Sequence, residues 1–104
     1  MKLLRFVGSS LEDLRDFPAE ARREAGFELY ALQRGYEPSD WKPLPEVGRG
    51  AREIRIHVLG EWRVIYVARF ADAIYVLHAF HKKTQKTRLH DVELARRRLR
   101  QIEE

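Results

Sequence analysis

Residues 52–83, REIRIHVLGEWRVIYVARFADAIYVLHAFHKK, change the hydrophobic period of the chain from that of a helix to that of a strand. Ile54, Ile56 and Val58 alternate with Glu53, Arg55 and His57, the pattern of a strand with one face buried. Gly60 and Glu61 mark a tight hairpin, and Arg63 to Phe70 is a second strand rich in Val, Ile and Tyr. Ala71–Asp72–Ala73 turns the chain again, and a third strand runs from Ile74 to about Lys82. Three strands joined by turns this short can only pair as an antiparallel meander.

The segments on either side carry other signals. KLLRFVG at the start reads as a short strand ending at Gly8. Ser9 and Glu12 have capping-box spacing, and Leu11 and Leu14 fall on one helical face behind them. Pro18 fits the first turn of a new helix that runs to about Arg34 and stops at Gly35. Its stripe is Ala21, Ala25, Leu29 and Leu32, and Gly26 within it costs up to about 1 kcal/mol relative to alanine. The two helices form a hairpin or one kinked helix. Residues 36–50 hold three prolines and two glycines and read as a long loop, either functional or pinned to the surface by Trp41 and Leu44. From Arg88 to Glu104 a last helix carries Leu89, Val92, Ala95, Leu99 and Ile102 on one stripe. The expected order is β-α-α-β-β-β-α in one domain over residues 1–104: an α+β fold, with a helical hairpin packed on an antiparallel sheet.

Composition narrows the function. The 104 residues include no cysteine, which excludes thiolate zinc sites, disulfides and cysteine nucleophiles. The formal net charge is +4, which favours nucleic acid or an acidic protein as partner. No apolar run approaches the roughly 18 residues of a membrane helix, and the N-terminal apolar stretch is too short for a signal peptide. A cytoplasmic protein with no membrane partner is expected. Between Lys82 and Arg100 the cations Lys82, Lys83, Lys86, Arg88, Arg96, Arg97, Arg98 and Arg100 face only Asp91 and Glu93 as acids. Such a stretch suits a phosphate backbone. It equally suits the solvated side of a helix, or a face that an acidic partner neutralises.

REIRI, EWRVIY, YVLHAFHKKTQKT and DVELARRRL in this order resemble the RelE/HigB-like toxins of bacterial type II toxin–antitoxin pairs, in particular the phage-related branch of the RelE/ParE superfamily. The resemblance spans roughly residues 1–100 and is densest from His78 to Leu99. It implies a RelE-like fold and a toxin that, in many members, cuts mRNA in the ribosomal A site. A related branch is a ParE-like DNA gyrase inhibitor, and an inactive remnant that only binds its antitoxin is a further alternative. The implied partners are a cognate antitoxin, often a helix-turn-helix DNA-binding protein covering the basic face, and mRNA on the ribosome.

Cleavage of this kind uses the 2′-hydroxyl of RNA as nucleophile on the adjacent phosphate and requires no metal or other cofactor. It needs fixed cations for the charge on phosphorus and a group that moves protons. The resemblance places an important arginine at Arg63, just after the hairpin turn. Arg55, on the polar face of the preceding strand, can share that face with Arg63 or pair with a neighbouring glutamate. Tyr66, three residues beyond Arg63, falls on the other face as a core residue if no bulge intervenes. Lys82 and Lys83 end the third strand on opposite faces, and Lys83 falls about where relatives carry a basic residue for the scissile phosphate. Lys86 and Arg88 extend this RNA-binding segment. Many relatives carry a C-terminal tyrosine or histidine for proton transfer; with no tyrosine after Tyr75, the candidates are His81 and His90. His78 and His81, three apart on a strand, point to opposite faces and share no metal, and His78 reads as a core histidine.

Overall fold

The computed structural model describes residues 1–85 and 89–103. Its elements are β1 (Leu3–Phe6), α1 (Ser10–Arg15), α2 (Ala19–Gln33), β2 (Trp41–Pro43), β3 (Ala51–Ile56), β4 (Trp62–Val67), β5 (Ala73–His81) and α3 (Leu89–Glu103). The fold class is α+β. The meander forms as the alternation requires: β3 pairs with β4 and β4 with β5, both antiparallel. The complete sheet has the order β1-β5-β4-β3-β2.

Two features of the sheet depart from expectation. No hairpin constrains β1, because two helices separate it from the next strand, and it joins β5 in parallel, Leu3 against Ala73 through Phe6 against Val76. The sheet is therefore mixed. The 36–50 segment is not all loop, since Trp41–Pro43 adds an antiparallel edge strand to β3. Pro43 is tolerated there because an edge strand can spare a donor. Leu44 and Val47 beyond it are buried, so the segment is pinned from beneath.

Both faces of the sheet are covered. On one face α1 and α2 bury Leu14, Phe17, Ala21, Ala25, Leu29 and Leu32 against Ile54, Ile56, Val64, Tyr66, Ile74 and Val76. On the other, Val92, Ala95 and Leu99 of α3 join Leu44 and Val47 over Ala51, Ile65, Val67 and Leu77. Each of these large side chains contributes about 1.5–3 kcal/mol on leaving water. Tyr66 lies on the helical-hairpin side, opposite Arg63. The irregularity nearby belongs to β5, where the pairing passes from His78 to Val76 and skips Leu77.

The helix signals are met unevenly. The stripe of α2 is buried as its spacing demands. The helix ends as Gly35 and Tyr36 turn their amides onto Leu32 O and Ala31 O, with Gly35 at φ 89°, a conformation glycine adopts without strain. Pro18 immediately precedes α2, and Arg22 N donates to its carbonyl, so the two helices are separate segments and not one kinked rod. The capping box does not form. Ser9 Oγ donates to Asp13 Oδ2 at 2.8 Å and accepts from Arg98 at 3.1 Å, which ties α1 to α3 instead of capping its own helix. Leu89 is 68% exposed, because Asp91 and Val92 turn towards the sheet in the first turn of α3. Among the described residues no helix is long and apolar enough to cross a membrane.

Gly26 sits mid-helix, exposed, and a Cβ built there meets nothing within 4 Å. Gly26→Ala is expected to stabilise the protein by about 0.5–1 kcal/mol, raising the midpoint of a calorimetric melt by several degrees.

Candidate functional site

The alternation of β3 that sends Ile54 and Ile56 into the core beneath α2 sends Glu53 and Arg55 to the other face. Cross-strand register sets Arg55 opposite Arg63 and Lys42 opposite Glu53. Glu53 has no exposed surface. Its carboxylate lies 3.7 Å from Arg63 Nε and 3.8 Å from Lys42 Nζ. A buried carboxylate is tolerable only with such compensation, since its desolvation costs several kcal/mol. Arg63 is itself only 5% exposed, and its Nη1 donates to Glu61 Oε1 and to Trp62 O. Lys82 continues the ladder past the end of β5, its amide donating to Glu61 O at 2.8 Å. Burial, and next the charge of Arg63, make its ammonium a stronger acid than an ordinary lysine, against the opposing pull of Glu53. Lys42, Arg55, Arg63 and Lys82 thus form one cationic cluster, with the buried Glu53 within 4 Å of Lys42 and Arg63.

The hairpin tip is held by a second set of charges. His57 Nδ1 is 2.8 Å from Glu61 Oε2, and its Nε2 is 2.6 Å from Asp40 Oδ2. Only the imidazolium donates to both carboxylates. Asp40 first and Glu61 second raise the His57 pKa above its ordinary value. Asp40 also lies 4.0 Å from Arg55 Nη1, and its carbonyl accepts from the Arg55 amide.

Beside the cluster, a hollow of about 270 Å³ opens between the end of β5 and the first turn of α3. Phe80, His81, Lys82, Lys83, Thr84, His90 and Asp91 line it. Its far wall is fixed from below by His78, whose Nε2 donates to Asp91 Oδ1 at 2.7 Å with both side chains buried. Burial holds His78 below the ordinary histidine pKa although Asp91 opposes the shift. The ring is thus neutral with its proton on Nε2, and Nδ1 finds no hydrogen-bond partner among the described residues. His81 faces the opposite side of the sheet from His78, as their spacing requires, and its ring stacks on Trp62.

The hollow therefore brings together four residues singled out in the sequence: His81, Lys82, Lys83 and His90. Lys83, His81 and His90 are exposed and Lys82 is half-buried. Arg63 and Arg55 adjoin through Lys82, with Arg63 beneath the surface and not on it. Lys86 and Arg88 lie outside the described residues. Of the arginines in α3, Arg96 bonds Glu46 O and Arg98 bonds Leu77 O, so both hold the helix to the rest of the fold. Sequence reasoning missed the burial of Glu53, the contribution of Lys42 from a segment read as loop, and the His78–Asp91 clamp. The last had a signal, since a histidine among apolar strand residues needs a polar partner. No group of three or more His, Asp or Glu side chains among the described residues is placed to hold a metal ion.

A mixed five-stranded sheet with two helices on one face and a third on the other is a RelE-like α+β fold. The chain belongs to the phage-derived Gp49-like family (DUF891), whose model matches residues 12–100. That family is RelE/ParE-like and associated with toxin–antitoxin systems. No curated protein matches the chain significantly.

Removing Glu53 leaves buried cations uncompensated. Glu53→Ala is expected to destabilise the protein by about 3–5 kcal/mol, read as a lowered urea midpoint. The two histidine pairs give opposite pH dependences. The folded protein keeps His78 neutral where the unfolded chain protonates it, so stability falls as pH drops below the ordinary value of 6.5. The folded protein keeps His57 protonated where the unfolded chain does not, so that contribution is lost as pH rises above 6.5 through the raised pKa. Urea midpoints measured across this range should fall on both sides of about pH 6.5. His78→Gln is expected to flatten the acid side and His57→Gln the alkaline side.

Proposed function

We propose that the protein is the toxin of a toxin–antitoxin pair and cuts mRNA on the ribosome, without a metal or other cofactor, until a cognate antitoxin covers its cationic end. The observation that carries this reading is the convergence of Lys82, Lys83, His81 and His90 on one open hollow, backed by Arg63, Arg55 and Lys42. A shallow cationic hollow suits a ribose–phosphate chain better than a small molecule. Lys83 and Lys82 stabilise the charge that develops on phosphorus as the 2′-hydroxyl attacks. Fixed cations in a partly dry site are the largest contribution to such a step. Arg63 works from beneath, strengthening the local potential and the acidity of Lys82. The ring of His81 is engaged on Trp62, so His90 on the lip of α3 takes the proton-transfer role, worth about 10²–10⁴-fold. Lys86 and Arg88, in the same basic segment, extend the RNA contact along the strand.

The antitoxin proposed here is a helix-turn-helix DNA-binding protein with an acidic segment that neutralises the same cations. Covering the hollow blocks substrate entry directly. The system acts in the cytoplasm, where ribosomes and mRNA meet.

Induced expression is expected to arrest growth and to generate new mRNA 5′ ends within coding regions. Lys83→Ala should weaken RNA binding and reduce its salt dependence by about one counterion. His90→Ala should lower single-turnover cleavage about 100-fold or more with RNA affinity nearly unchanged. Growth arrest with intact transcripts and blocked DNA supercoiling would overturn the nuclease in favour of a gyrase inhibitor.

A further inference from the structure

One ring on the rim of the hollow is arranged for something other than proton transfer. His81 stacks on Trp62 with centroids 4.4 Å apart and planes 24° from parallel. Trp62 in turn packs against Phe17 at 4.7 Å and donates its indole N–H to Val58 O at 3.0 Å. The indole is thus fixed at one edge and on one face, and the imidazole lies flat upon it. Phe17 is buried, Trp62 half-buried and His81 exposed, so the column runs from the core to solvent and stops at an aromatic face. Such an end is what an unstacked base meets in single-strand recognition, where stacking on an aromatic ring is insensitive to base identity.

The surroundings keep that end open. Gly60 lies at the edge of the column at φ 127°, where a Cβ would come within 3.3 Å of Trp62 Nε1 and 3.5 Å of His81 Nε2. A side chain at position 60 would both strain the turn and crowd the ring pair. Lys82 and Lys83 follow directly along the chain, and all three residues border the hollow. A single-stranded nucleic acid alternates a flat base with a charged phosphate.

We propose that His81 is a nucleobase-stacking platform, rigidified by Trp62 and Phe17, that holds one unpaired base while the neighbouring lysines hold its phosphate. The proposal rests on the reading that this end of the protein binds a ribose–phosphate chain, and it gives His81 a binding role distinct from the acid–base role of His90. It makes the protein selective for nucleic acid with accessible bases over a fully paired duplex.

The test uses the whole protein and a single-stranded RNA oligonucleotide, blocked against cleavage by 2′-O-methyl riboses and carrying a 2-aminopurine. Wild type is expected to bind and to quench the 2-aminopurine. His81→Ala should weaken binding about fivefold or more and remove the quench. His81→Phe keeps a stacking ring and loses the titratable nitrogen, and should retain both affinity and quench. Lys83→Ala should weaken binding while leaving the quench of bound oligonucleotide intact. If wild type and His81→Ala bind and quench alike while Lys83→Ala binds worse, the platform is refuted and the cationic reading stands. If His81→Phe loses affinity as fully as His81→Ala, the nitrogen and not the ring face is what matters, and the platform is again refuted. If wild type binds no RNA, the cationic reading falls and the platform with it.

Discussion

A single buried carboxylate makes the cationic end of this protein possible. Arg63, Arg55, Lys42 and Lys82 come from β4, β3, β2 and the end of β5, and like charges this close repel one another. Glu53, inaccessible to water and within 4 Å of two of them, supplies opposing charge from the interior, and Glu61 and Asp40 add to it at Arg63 and Arg55. The arrangement is asymmetric. Glu53 lies deep in the sheet, whereas Lys82 and Lys83 reach the surface, which there carries an excess of positive charge.

That asymmetry depends on the two-sided burial of the sheet. With α1 and α2 on one face and α3 on the other, β3 and β4 have no solvent face in their central stretch, and their polar residues must find partners inside. Arg63 becomes an internal strut bonded to Glu61 and Trp62 O. Of the lysines after β3, Lys82 and Lys83 reach water where β5 outruns its neighbours and α3 is about to begin. The His78–Asp91 pair fixes the distance between these two elements, so the width of the hollow is set by a hydrogen bond in the interior.

Much of this was legible in the amino-acid order, and the exceptions share a physical cause. The stripe Ala21–Ala25–Leu29–Leu32 and the alternation around Ile54 and Ile56 are local patterns that appear in the fold as spaced, while the lysines lie just past the end of β5 at His81. The alternation places Glu53 on the polar face of its strand but does not foretell its burial, because alternation reports which residues share a face, not whether that face is later covered. Leu89 fits the stripe of α3 yet is exposed, because the partner of His78 had to be Asp91 and the first turn orients to suit. Ser9 matches a capping pattern, but its hydroxyl is engaged by Asp13 and by Arg98 from the far end of the chain. Long-range polar pairs of this kind leave no periodic trace. The convergence of His81, Lys82, Lys83 and His90 was legible only in part: their nearness in sequence was visible, while the buried clamp that shapes the space between them was not.

The parallel seat of β1 beside β5 has a consequence for how the chain assembles. Leu3 must find Ala73, 70 positions further along the chain, whereas the three central strands close through turns of a few residues. Closing so wide a loop costs more entropy than forming a hairpin, so β1 is expected to dock after the meander has formed. Its only strand partner among the described residues is β5, the segment that leads into the lysines. The chain cannot seal its sheet before β5 exists, so closure of the sheet and completion of the strand that leads into the lysines become the same event.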